Sequence, residues 1–441
     1  MSNNLFIVHC VDTEGPLNES LAATFERLES IYSIKMQPTR ENLLALQEKK
    51  IDLGGLEQDV AHTFSKHLLN YNNSWEKIDA MLSKIMSSDY RLKYPDSNGR
   101  GIVYNWHCLD NVGFETNERS RDLGFGNVFT HFVNKNKEFG CQDEIHWHFH
   151  PLSFNREAHI CSTNYDYSYP LLHEIISRRL IDHSWFPVVN RAGFHAIRQD
   201  SSFFLEQWIP FDYSNQATYK NSNSQLDYHR YGDWRRAPKE WIPYHPSHDD
   251  YQTVGHMNRL TTKCLNIGTR YKLLDDNELE MAFRNSMEYG NAILAFTNHD
   301  CRDMSVDIDD IYSRIHQISK KFPDVKLHNS HAVEAIQKSL FDQNEIESNK
   351  LVLRTELVKT KKDCRLIVEA TNGQVFGSQP YLSIKTKDGR YYHDNFNENK
   401  QHKSWQYIMD RESVDYSEIS SVAVGANDKY GNQAIHNLDK E

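Results

Sequence analysis

Residues 5–15 read L-F-I-V-H-C-V-D-T-E-G, a short apolar run that ends in two acids, Asp12 and Glu14. Continuous apolar runs of this length belong to strands buried on both faces, as in parallel sheets. Two later stretches repeat the form. Residues 292–300, A-I-L-A-F-T-N-H-D, lead into His299, and residues 143–151, D-E-I-H-W-H-F-H-P, set His146, His148 and His150 at alternate positions before a proline. Neutral imidazole is the commonest protein ligand for a transition metal. Core packing gives no reason to place three within five residues.

Working outward, strands are expected at Leu5–Val11, Ile102–Leu109, Glu144–His148, Phe186–Asn190 and Ala292–Phe296. Helical spacing fills the gaps: Trp75, Ile78, Leu82, Ile85; then Leu279, Phe283, Met287 before Gly290; then Ile308, Ile311, Ile315, Ile318 before Pro323. Strands alternating with helices predict βα units around a parallel sheet or barrel over residues 1–340. Two stretches break the rhythm. Residues 19–70 carry extra helical patterns and are read as a helical insertion. Residues 214–260, which include D-W-R-R-A-P-K-E-W-I-P-Y-H-P, are read as a long active-site loop. Residues 341–349 form a polar linker, and residues 350–441 alternate apolar and polar in short runs, the pattern of an all-β sandwich.

Composition narrows the partners. The net charge is −11 over 441 residues, with no basic cluster interleaved with aromatics. Nucleic acid is excluded as a partner, because its phosphates demand a basic footprint. Seven single cysteines without a CxxC pair argue against a disulfide framework or a zinc ribbon. No stretch approaches the ~18 apolar residues of a membrane span. The apolar run near the N-terminus lacks a basic leader and is too short for a signal sequence. A cytoplasmic location is expected.

In βα sheets and barrels the chemistry sits at the C-terminal ends of the strands. Four such ends carry suitable groups here: Asp12 and Glu14; the three histidines; Arg191, in F-P-V-V-N-R-A-G-F; and His299.

With these residues in place, the chain resembles the polysaccharide deacetylases of the NodB-homology type, metal-dependent hydrolases on a distorted (β/α) barrel. Five motifs in the family's order carry the likeness across residues 5–340: V-D-T-E-G-P, H-W-H-F-H-P, R-A-G-F-H, F-D-Y-S at Asp212, and the strand Ala292–His299. The resemblance implies that Glu14, His146 and His150 bind one divalent metal. A two-histidine, one-carboxylate set with open positions suits zinc, Zn2+. It implies that Asp12 is the general base, that Arg191 pairs with Asp12 and keeps it ionised, and that His299 is the acid that protonates the departing amine. The implied reaction removes an N-acetyl group from an amino sugar or glycan intermediate in surface-polysaccharide or O-antigen biosynthesis. An O-deacetylase or another amidohydrolase on the same scaffold, and a glycan-binding protein without catalysis, are the alternatives.

Two features depart from the family's pattern. Glu14 stands where most relatives have aspartate. In a regular strand His146, His148 and His150 would share one face, which makes His148 a further candidate ligand. Asp212 is a candidate to orient His299. Trp147, Trp234 and Trp241 are candidates for a wall against which a sugar ring stacks, although such aromatics more often pack than bind.

Overall fold

β1 (Asn3–Thr13) pairs in parallel with three strands at once. Its first half lies beside β8 (Val325–Asn329) and its second half beside β2 (Tyr104–Cys108). Along the opposite edge runs β7 (Asn291–His299), from Asn4↔Asn291 to Asp12↔His299. From β2 the sheet continues through β3 (Glu144–Phe149), β4 (Val189–Ala192), β5 (Phe211–Asn215) and β6 (Leu260–Asn266) back to β7. Seven parallel strands therefore close into an α/β barrel, with β8 as an outer neighbour of β1. This computed structural model describes residues 3–157, 161–162, 164–219, 232–269, 273–360 and 363–439. Residues 220–231 of the expected long loop lie outside the described residues.

Alternation along the strands sorts the side chains. On β1, Leu5, Ile7 and Val11 face the surrounding helices, while Phe6, Val8 and Cys10 point inward and are followed on that side by Asp12. The lower barrel is thus apolar and its mouth is charged. One flank is covered by α5 (Trp75–Ile85), with α6 (Ser88–Arg91) after it, and by α7 (Asn127–Glu138), α10 (Asp276–Tyr289) and α11 (Ser305–Ser319). The stripe Ile308, Ile311, Ile315 and Ile318 on α11 is buried, each side chain stabilising by about 1.5–3 kcal/mol. The other flank carries α8 (Tyr169–His183) and α9 (Gln199–Trp208), and α12 (Ala332–Leu340) closes the floor with Ala332, Ala335 and Ile336.

Between β1 and α5 stand four helices: α1 (Leu21–Tyr32), α2 (Arg40–Gln47), α3 (Glu57–Thr63) and α4 (Lys66–Leu69). They hold a small core of their own, Phe25, Leu28, Leu46, Val60 and Phe64. After the barrel, residues 341–349 contain a helix, α13 (Gln343–Ser348), rather than an extended linker. Asp342 caps it by accepting from the backbone N–H groups of Asn344 and Glu345, and Ile346 anchors it in the interior.

Eight strands follow: β9 (Val352–Lys359), β10 (Cys364–Asn372), β11 (Tyr381–Thr386), β12 (Tyr391–Asp394), β13 (Asn397–Lys400), β14 (Ser404–Met409), β15 (Ile419–Asn427) and β16 (Gln433–Asp439). They form two antiparallel four-stranded sheets, β13-β14-β10-β9 and β12-β11-β15-β16, around one apolar core. The second sheet docks on α8, where Ser383 meets Ser177 at 3.1 Å and Lys385 meets Asp182 at 2.9 Å. Among the described residues no helix is long and apolar enough to cross a membrane.

Two boundaries differ from the sequence expectation in ways that matter for the site. β4 begins at Val189, not Phe186, because Pro187 has no N–H to give to a ladder. It then runs on through Arg191, which lies within the strand and not after it. β3 continues to Phe149, one residue past its expected end at His148, so the chain stays extended through the second histidine. Strands β5, β6 and β8 have no counterpart in the sequence reading. β6, L-T-T-K-C-L-N, is too polar to read as a buried strand, yet all seven residues are buried. Its Lys263 is accommodated by Glu278 of α10 at 2.6 Å.

Candidate metal centre

The barrel mouth gathers side chains from four strand ends. Glu14, just past β1, lies with Oε1 3.4 Å from His150 Nε2. His148 Nε2 is 3.1 Å from that same nitrogen. Glu14, His148 and His150, all buried, form the group of donors that could hold a metal ion among the described residues. Tetrahedral zinc with bonds of about 2.0–2.1 Å separates its ligand atoms by roughly 3.3–3.4 Å, close to these edges. The tautomer agrees with that use. His148 Nδ1 donates to the carbonyl oxygen of Arg191 at 2.7 Å, so its lone pair is on Nε2 and faces the cluster. Burial pushes the pKa of His148 down to about 4, which keeps the ring neutral, as a ligand must be. For Glu14 burial alone would raise the pKa, but Arg121, His150 and His299 hold it well below the usual carboxylate range.

This donor group differs at one position from the ligand set expected from the sequence, Glu14, His146 and His150, with His148 in the place of His146. His146 points into the barrel, as His148 does, but one inward position deeper along the same strand. There it meets Glu144 at 3.0 Å and Asn105 at 3.4 Å, with His107 against its ring. Because β3 stays extended through Phe149, successive inward residues climb toward the mouth, and His148 reaches the level of Glu14.

Asp12 stands beside this group. Arg191 Nε forms an ion pair with Asp12 Oδ1 at 2.7 Å, and both residues are buried. His299 Nε2 lies 3.6 Å from Asp12 Oδ2 and 3.9 Å from Glu14 Oε1. Burial lowers the pKa of His299, Asp12 and Glu14 pull it back up, and Arg302 and Arg191 lower it further. Asp12, Glu14, His150, Arg191 and His299 are thus brought together as the sequence reading placed them, with His148 completing the group.

The remaining candidates lie elsewhere. Asp212 is on the outer face of β5, paired with Arg259 at 3.2 Å and bonded by Asn190 and Ser214, so it does not orient His299. Trp147 faces outward toward Arg179 of α8. Trp234 is buried and donates to the carbonyl oxygen of His195 at 3.0 Å. Trp241 is buried beneath Lys263. None of the three tryptophans lines the cavity over the site.

Several residues here had no place in the sequence reading. Asp300 accepts from the backbone N–H groups of Glu14 at 2.9 Å and Gly15 at 3.0 Å, pinning the turn that presents Glu14. Burial pushes its pKa up to about 8, against the lowering effect of those two bonds. Arg121 pairs directly with the second oxygen of Glu14. His195 sits against the Arg191 guanidinium, 3.0 Å from Nη1, and borders the cavity. Phe194 and His195 both have positive φ, 50° and 52°, a strained pair of residues for this region. The bonds from Trp234 and Gln216 to His195 hold that turn. Gly193 precedes it, and a Cβ there would come within 2.1 Å of His150 Cδ2, so the glycine of R-A-G makes room for a ligand. The N-H-D at the end of β7 and the glycine were the only local signals of these partners. Arg121 sits in an irregular loop that gave none.

Compared with known proteins, the chain matches no family model, no curated protein and no solved structure.

Proposed function

We propose that the chain is a metal-dependent hydrolase of the polysaccharide-deacetylase, NodB-like type, which removes an N-acetyl group from an amino sugar during surface-polysaccharide or O-antigen assembly. The observation that carries this reading is the joining of two sets of groups in one cavity: the donors Glu14, His148 and His150, and the Asp12–Arg191 pair with His299. A site that only bound a sugar would need no such base–acid pair.

The donor set fits one divalent cation, with zinc the best match to two imidazoles and a carboxylate. Such an ion supplies Lewis acidity, making water acidic enough to ionise near neutral pH and polarising an amide carbonyl. Asp12, next to the cluster, takes the proton from the attacking water. Arg191 pairs with the Asp12 carboxylate and aims it. His299 faces Asp12 and delivers a proton to the nitrogen as the C–N bond breaks. The mouth opens into a cavity bordered by Asp12, Glu14, His148, His150 and His299, so a substrate can reach the cluster from solvent. No disulfide is formed among the described residues, which fits a reducing compartment, and we place the reaction in the cytoplasm, on a soluble or carrier-linked intermediate.

The test has two parts. Mass spectrometry of the purified protein is expected to find about one zinc-like ion per chain, lost in His150→Ala. Acetate release is then compared between N-acetyl and O-acetyl sugars. Faster release from the amide supports the N-deacetylase, and faster release from the ester replaces it by an O-deacetylase. A wild-type protein that takes up no metal when zinc is supplied removes the hydrolase reading altogether.

A further inference from the structure

The cavity over the donor cluster is basic, although the chain is acidic. Arg27, Arg119, Arg121 and Arg302 line it against two carboxylates, Asp12 and Glu14, while the chain as a whole carries −11. Arg121 is matched by Glu14. Arg27, from α1 of the helical insertion, and Arg119, from the loop after β2, both pair with the carboxylate of Glu19. Arg119 is 3% exposed, and its Nη1 is buried with no hydrogen-bond partner. Burial first, and then the charge of Arg27, push its pKa down, against the raising effect of Glu19 and Glu26. Arg302, just past β7, is 7% exposed. It gives one long bond, 3.3 Å, to the carbonyl oxygen of Gly268, and no carboxylate among the described residues lies within ion-pair distance of it. Tyr71 joins the two groups: its hydroxyl donates to Glu19 at 3.3 Å, and its ring centroid lies 5.8 Å from the Arg302 guanidinium.

Buried guanidinium N–H groups left without acceptors are costly, and the guanidinium fork matches a carboxylate or phosphate. We propose that Arg119, Arg302 and Arg27 bind an anionic substituent of the substrate, a carboxylate or a phosphate, while the group to be hydrolysed lies at the donor cluster. This rests on the hydrolase reading of the same cavity. The helical insertion then takes part in recognition, since α1 delivers Arg27 to the rim and so selects charged substrates over neutral ones. An acidic exterior with a basic cavity directs anions to this one place.

Anion binding is measured first, by calorimetry on the full-length, chelator-treated protein at constant ionic strength, with inorganic phosphate and D-glucuronate as probes. Saturable binding is expected, weakened about tenfold or more by Arg302→Met and partly restored by Arg302→Lys. Removing Arg302 strands no carboxylate, and Arg119→Met provides a second, independent variant. Binding that does not saturate, or that neither methionine variant weakens, overturns the proposal. Preference for phosphate assigns the substituent as phosphoryl, and preference for glucuronate assigns it as a sugar carboxylate.

Turnover separates this proposal from the reading beneath it. The metal-loaded protein is offered neutral N-acetylglucosamine, its 1-phosphate and N-acetylneuraminate. Faster hydrolysis of a charged substrate, with Arg302→Met raising KM and sparing kcat, supports the proposal. Equal hydrolysis of the neutral sugar overturns the anion wall and leaves the hydrolase standing. Saturable anion binding with hydrolysis of none of the three counts against the hydrolase and leaves the wall.

Discussion

Two places in this molecule gather histidines, and they use them differently. At the barrel mouth His148, His150 and His299 converge on Glu14 and Asp12, with ring nitrogens facing one another or a carboxylate. At the seam where the second C-terminal sheet meets α8, His173 and His393 stack flat at 4.3 Å and 7°, and Tyr381 stacks on His393 at 4.1 Å. There the Nδ1 atoms are already used, His173 with the Tyr381 hydroxyl at 3.0 Å and His393 with the carbonyl oxygen of Leu382 at 3.0 Å. Both places shield imidazoles from much of the surrounding water. Only the mouth leaves lone pairs aimed at a common point beside acids and a guanidinium. Burial alone therefore does not mark a histidine as functional; what its unspent nitrogen faces does.

The contrast breaks most sharply on the ligands. His148→Ala or Glu14→Gln is expected to weaken metal binding by more than the ~100-fold that outer partners of a metal site are worth. His146→Ala should leave about one ion per chain, since its nitrogen is bonded at a deeper level of the barrel. Metal analysis of the three variants checks this, and the opposite ranking would restore His146 as a ligand. Next in size, Asp12→Asn should cut kcat by about 10²–10⁴-fold with the metal retained, as expected for loss of a general base. Single-turnover rates on metal-loaded protein read it.

The seam predicts a smaller effect, on stability and not on activity. Burial, first of all, lowers the pKa of His173 to about 3 and of His393 to about 4. In the unfolded chain both titrate near ~6.5. Above that pH neither state binds the proton, so pH has no effect through these rings. As pH falls from about 6.5 toward 4, the unfolded state takes up protons that the folded state refuses, and stability is lost. The slope is at most about 1.4 kcal/mol per pH unit for each histidine, less for these partly exposed rings. His393→Phe keeps an aromatic ring in the stack and should flatten the melting temperature against pH over that window, with turnover unchanged. Identical profiles in wild type and variant would show that the seam does not titrate this way. Smallest of all, Trp241→Phe should leave KM unchanged, because Trp241 lies under Lys263 and away from the cavity. A raised KM would return it to the substrate wall.

Much of the design was legible in the chain itself. The apolar runs ending in Asp12 and His299 announced buried strands with polar ends, and β1 and β7 pair along their whole length with those two residues in register. Helices with a strong stripe, such as α11, could be read because one face is uniformly apolar. The short runs after residue 350 read as strands because their periodicity is local. What could not be read locally was lost. β6 is polar in sequence and buried in fact, since its polar groups find partners on other elements. Arg121, Asp300 and the shared Glu19 do their work across gaps of 107, 286 and 100 residues.

The sequence by itself determined βα units around a parallel sheet or barrel, with acids and imidazoles at the strand ends, because strand period and apolar runs are properties of neighbouring residues. Only the tertiary structure decided which histidine joins Glu14. Three imidazoles on one strand face are equivalent in sequence, and they differ in depth. The point at which β3 leaves the sheet, after Phe149, and the height at which β1 delivers Glu14 together set His148 level with the carboxylate and leave His146 below it. Depth in a barrel is a relation between strands, so no single strand encodes it.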